Sequence, residues 1–66
     1  MNIRITNTSD GAEENYSSWE EYMDGANNDY NREVKEAIMN LQRITDDQKM
    51  TFVCEDGSTF TYEFTD

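Results

Sequence analysis

The stretch KMTFVCEDGSTFTYEF, residues 49–64, places two short runs of β-forming side chains around Glu55-Asp56-Gly57. The way this hairpin closes decides the fold. A two-residue Asp56-Gly57 turn sets Val53 opposite Phe60 and Thr51 opposite Tyr62, and splits the large apolar side chains between the two faces. A three-residue loop, Glu55-Asp56-Gly57, pairs Cys54 with Ser58, Phe52 with Phe60 and Met50 with Tyr62, so that they share one face. Burial selects the register, because a slip of one residue turns every side chain over. The three-residue loop is therefore expected, built as a type I turn followed by Gly57 at positive φ. Thr51, Val53, Thr59, Thr61 and Glu63 then occupy the other, wet face. Cys54 falls on the inward face and reads as a small buried apolar residue.

That inward face needs a cover, and the chain upstream supplies one. Val34, Ala37, Ile38, Leu41 and Ile44 recur at helical spacing after Tyr30, with Asn27 and Asn28 as capping residues before them. A shorter helix is expected from Ser18 to Gly25. Ser18 and Glu21 form a capping box, and Trp19, Tyr22 and Met23 share a face, with Trp19 as a core anchor. Residues 2–7 alternate around Ile3 and Ile5 and read as a strand. Residues 10–17, polar and acidic, read as a loop that leaves Tyr16 exposed. The expected architecture is a single α+β domain over residues 1–66, ordered β-α-α-β-β. Its antiparallel sheet is small, and its C-terminal hairpin packs on one amphipathic helix. Ile3, Ile5, Val34, Ile38, Leu41, Met50, Phe52, Phe60, Tyr62 and Phe64 are the expected core.

The residues available for chemistry are few. The 66-residue chain has no His and a single Cys, which leaves neither a disulfide nor a zinc ligand set. The nearest approach to a calcium loop starts at Asp24. It fails at Ala26, at Asp29 where Gly is required, and at Lys35 in the twelfth position. Adjacent acids such as Glu13-Glu14, Glu20-Glu21 and Asp46-Asp47 are expected by chance in so acidic a chain, and a domain of this size has little room for a cleft between them. No catalytic residue, metal site or cofactor is expected. No apolar run approaches the length of a membrane helix, and the unpaired Cys54 fits a reducing cytoplasm.

Charge is the outstanding property: fifteen acids against five bases, a net of −10. Its bland explanation is solubility; the alternative is a basic partner. The distribution favours a partner. No base lies between Arg4 and Arg32, an interval that holds nearly half the acids. Carboxylates one helical turn apart, such as Glu20 and Asp24, approximate the spacing of backbone phosphates and accept bidentate arginine bonds as phosphates do. The candidate partner-binding residues are Glu13, Glu14, Tyr16, Glu20, Glu21, Asp24 and Asp29. The expected partner is a basic nucleic-acid-binding protein, with no direct binding of nucleic acid and no membrane contact.

In size, acidity and expected architecture the chain resembles the anti-defence proteins of phages and mobile elements: anti-CRISPR inhibitors, antirestriction proteins and other DNA mimics. No sequence motif carries the resemblance, so it transfers no functional residue. It implies an inhibitor, acting in the host cytoplasm, that occupies the nucleic-acid site of a Cas effector or restriction-type protein. The alternatives are an acidic antidote to another basic protein and a homodimeric regulatory module.

Overall fold

A computed structural model describes residues 1–65. Six elements follow in order: β1 (Asn2–Asn7), β2 (Glu13–Tyr16), α1 (Trp19–Asp24), α2 (Asp29–Thr45), β3 (Lys49–Val53) and β4 (Thr59–Thr65). The strands form one antiparallel sheet in the order β2-β1-β4-β3. The C-terminal hairpin has the register that burial demands: Met50 opposite Tyr62, Phe52 opposite Phe60, Val53 opposite Thr59. The Cys54 amide donates to the Ser58 carbonyl at 2.8 Å, the Gly57 amide returns to the Cys54 carbonyl at 2.9 Å, and Gly57 sits at φ 88°.

The α+β class stands, with one strand more than expected. Part of the stretch read as a loop, residues 10–17, is β2. It pairs with β1 through Ile3 opposite Tyr16 and Ile5 opposite Glu14. The turn between them is held by side chains. Asn7 Oδ1 accepts from the Ser9 amide at 2.9 Å, and Asp10 Oδ1 accepts from the Ala12 amide at 2.8 Å. Glu and Asn are poor strand formers. Pairing with β1 outweighs that preference here, and a charged strand is tolerated at a sheet edge.

Both helices start on side-chain caps: Ser18 accepts from the Glu21 amide, and Asn28 from the Asn31 amide. The Glu21 carboxylate reaches one residue further back than a capping box requires, and accepts from the Ser17 amide and hydroxyl. The α2 helix ends at Asp46 in the left-handed conformation, φ 55°.

The buried core is Ile3, Ile5, Tyr22, Met50, Tyr62 and Phe64, with Tyr16, Trp19, Met23, Ile38, Phe52 and Phe60 packed against it. Trp19 thus anchors as expected, its ring 5.4 Å from Phe64 and 5.6 Å from Tyr22. Val34 and Leu41, placed in the core from sequence, are 41% and 43% exposed, and Ile44 is 83% exposed. The reason is a rotation of α2. Its inward face is Asn31, Lys35, Ile38, Met39 and Gln42. That face lies one residue, about 100°, away from the apolar stripe. Polar tethers hold it there. The Lys35 ammonium donates to the Tyr22 carbonyl at 2.9 Å, and buried Gln42 donates to the Asp47 carbonyl at 3.2 Å. Tyr22, 1% exposed, fills the centre of the sheet's inner face in place of the α2 stripe. Cys54 is exposed rather than buried, because it lies at the hairpin end, which α2 does not cover.

Candidate partner-binding surface

The acids singled out from sequence lie on three consecutive elements. Strand β2 carries Glu13 and Glu14 and passes through Ser17 and Ser18 directly into α1, which carries Glu20, Glu21 and Asp24; Asp29 opens α2. The strand's alternation separates the first two. Glu14 shares the inner face with Ile5 and Tyr16, whereas Glu13 shares the outer face with Arg4 and Thr6. The acids therefore wrap around the β2–α1 corner and do not form one plane. Glu20 and Asp24 are exposed, one turn apart, and accept no side-chain hydrogen bond among the described residues.

Two of the candidates carry structural roles. The hydrogen bonds from Ser17 hold the Glu21 carboxyl below the usual carboxylate range, and that carboxylate is engaged in starting α1. Tyr16 is not the free loop contact expected. Its ring stands edge-on to Tyr22 at 5.4 Å, and its hydroxyl donates to Glu14 Oε2 at 3.4 Å. Partial burial, then the Glu14 charge and hydrogen bond, raise its phenol pKa.

The bases decide the electrostatics of the corner. Arg4, on the outer face, donates to Glu63 Oε2 at 2.9 Å, the one ion pair among the described residues. Lys35 turns inward, 4.4 Å from the centre of the Tyr22 ring and 5.6 Å from that of Tyr16. It is the functional-site neighbour that sequence reading missed. Its only trace was a base standing beside the apolar residue at position 34. With Arg4 paired and Lys35 half-buried, Glu13, Glu20 and Asp24 have no ion-pair partner among the described residues.

Beside the corner, α2 and the inner face of the sheet leave an open groove of about 610 Å³. Val34, Ala37 and Leu41 line one wall, and Phe52, Cys54 and Phe60 the other. Glu14 of the acidic corner also borders it.

Among the described residues no group of three or more His, Cys, Asp or Glu is arranged to hold a metal ion, and no helix is long and apolar enough to cross a membrane. Comparison with protein-family models, with curated proteins and with solved structures gave no match.

Proposed function

We propose that this chain is an acidic inhibitor that occupies the basic nucleic-acid site of a DNA- or RNA-binding defence protein, of Cas-effector or restriction type, in the host cytoplasm. The acids of β2 and α1 stand in for backbone phosphates. One observation carries the reading: among the described residues the corner's carboxylates lack cation partners, because the nearby bases are engaged elsewhere, Arg4 with Glu63 and Lys35 with Tyr22. A surface with one sign of charge attracts a basic groove over distance and speeds encounter. Arginines placed to grip phosphate grip a carboxylate equally well.

The test compares two triple variants with equal change in net charge. Glu13→Lys/Glu20→Lys/Asp24→Lys reverses the corner and spares the capping Glu21. Asp46→Lys/Asp47→Lys/Glu63→Lys reverses acids that border neither the corner nor the groove. Purified Cas effectors and restriction endonucleases are assayed for DNA binding with each protein added. The wild type and the second variant should inhibit, with an association rate that falls as salt rises, and the first variant should not. Equal loss in both variants would show that the charge acts diffusely. A wild type that inhibits none of the panel would remove charge mimicry.

A second reading, a homodimeric regulatory module, is favoured by β3, which ends the sheet as an unpaired edge. Sedimentation at rising concentration separates the two.

A further inference from the structure

The groove and the stripe beside it have no use within the fold. Val34, Leu41 and Ile44 are exposed large apolar residues on one helix. The wall opposite offers Phe52 and Phe60 from the inner face of the hairpin. A helix of this length gains most of its stability from burying its apolar face. Here α2 is instead held turned by one residue, with Lys35 and Gln42 tethered inward. The apolar face thereby stays available to something else.

Charge identifies what covers it. Acids flank the lining: Glu14 lies on the border itself, Glu33 stands one helical turn before Ala37, and Glu55 follows Cys54 at the hairpin end. Lys35, the base on that border, is directed at Tyr22. A second copy of the chain would bring a second acidic rim and a further net charge of −10 against the first, which opposes self-association. We infer that the groove receives an amphipathic segment of the basic partner, its apolar side chains seated between α2 and the hairpin and its Lys or Arg side chains on the acidic rim. This deepens the reading of a basic partner and rests on it. The corner supplies attraction, and the groove supplies the desolvated anchor that dominates binding energy at interfaces.

Two synthetic peptides of equal length and charge test the inference by fluorescence anisotropy. One places Leu at i, i+3, i+4 and i+7 with Lys between so as to form an amphipathic helix, and the other replaces every Leu with Ser. The Leu/Lys peptide should bind about tenfold or more tightly than the Ser/Lys peptide, since even one well-buried side chain is worth that factor. The margin should vanish in Val34→Gln/Leu41→Gln, which should retain its affinity for the Ser/Lys peptide. In the wild-type protein the Leu/Lys peptide should shift the amide resonances of Val34, Leu41, Phe52 and Phe60, a readout independent of how any variant folds. Equal affinity for the two peptides would overturn the groove assignment. The charge reading would still stand if that shared affinity were lost in Glu13→Lys/Glu20→Lys/Asp24→Lys. Binding of neither peptide would overturn both. A wild-type dimer that dissociates in Val34→Gln/Leu41→Gln would give the groove to a second copy and overturn the assignment as well.

Discussion

The Lys35 ammonium donates to the Tyr22 carbonyl oxygen at 2.9 Å and stands 4.4 Å from the centre of the Tyr22 ring, so one side chain of α2 closes the end of α1 and covers its most buried residue. Gly25 makes the approach possible: a Cβ there would lie 2.9 Å from that ammonium.

Lys35 and Gly25 should therefore be coupled. Lys35→Met removes a charge-assisted bond and a cation–π contact, and should cost about 1–3 kcal/mol. Gly25 has an ordinary helical φ of −76°, so Ala there restricts the unfolded chain and by itself stabilises by about 0.4–1 kcal/mol. In the wild type this gain opposes displacement of the ammonium, and Gly25→Ala should be close to neutral. In the Lys35→Met background it should raise stability. Urea denaturation of all four proteins measures the coupling; additive effects would show that the ammonium moves aside freely.

The Tyr22 and Tyr62 hydroxyls meet at 2.9 Å in the core. Burial pushes both phenols upward, Tyr22 the more strongly. The native state then binds these protons more tightly than the unfolded chain does. That stabilisation is whole below the unfolded phenol pKa of about 10 and is lost as pH rises above it. Tyr22→Phe leaves the Tyr62 hydroxyl without this partner, and should cost about 1–3 kcal/mol. Tyr22→Phe/Tyr62→Phe should recover much of that loss and flatten the fall in stability between pH 9 and 11, as read by circular dichroism.

Glu20 and Glu21 are neighbours with different duties. Glu21→Lys should lower the melting temperature, because the Ser17 amide and hydroxyl lose their acceptor. Glu20→Lys should lower it far less and act on binding instead. The Glu21 contribution is present above the normal glutamate pKa and disappears as pH falls through its lowered value, so melts of wild type and Glu21→Gln should converge in acid. Ser18→Ala, which removes the neighbouring cap, should cost about 1 kcal/mol.

Leu41 and Ile3 separate the apparent core from the real one. Ile3 is fully buried and Leu41 is 43% exposed. Ile3→Ala should cost about 2–5 kcal/mol, most of the stability of so small a domain, and Leu41→Ala under about 1 kcal/mol. Denaturation midpoints decide it. Equal losses would mean that the α2 stripe is packed after all.

The hairpin register was legible because only one pairing gathers Met50, Phe52, Tyr62 and Phe64 on a face. Both helices were legible from Ser18, Asn28 and the spacing of Trp19 and Tyr22. Strand β2 was not, since Glu13-Glu14-Asn15-Tyr16 offers one apolar side chain, and its pairing depends on β1 being in place. The turn of α2 was hidden for a related reason. Periodicity ranks faces by hydrophobicity, whereas Lys35 is drawn inward by the Tyr22 carbonyl, which only the tertiary structure brings near, and Gln42 by the Asp47 carbonyl in the turn that follows the helix. For the candidate site, sequence marked the acids and gave Glu21 its place in a capping box, yet still counted it with Glu20 among the partner-binding carboxylates, although a carboxylate held by Ser17 is not free.

Strand β2 ends one side of the sheet, with Glu13 and Glu14 projecting to opposite faces of that edge. An unpaired edge invites another β-strand, and charges on it repel a like edge. The two glutamates therefore guard against aggregation, whatever else they bind. Replacing them with Lys preserves the guard, since like charges still repel. Replacing them with Ala or Val removes it, and Val raises the β propensity of the exposed edge as well. Neutralised variants of this strand should precipitate at concentrations the wild type tolerates, and a loss of binding in them would then reflect a shrinking pool of monomer and not a missing contact.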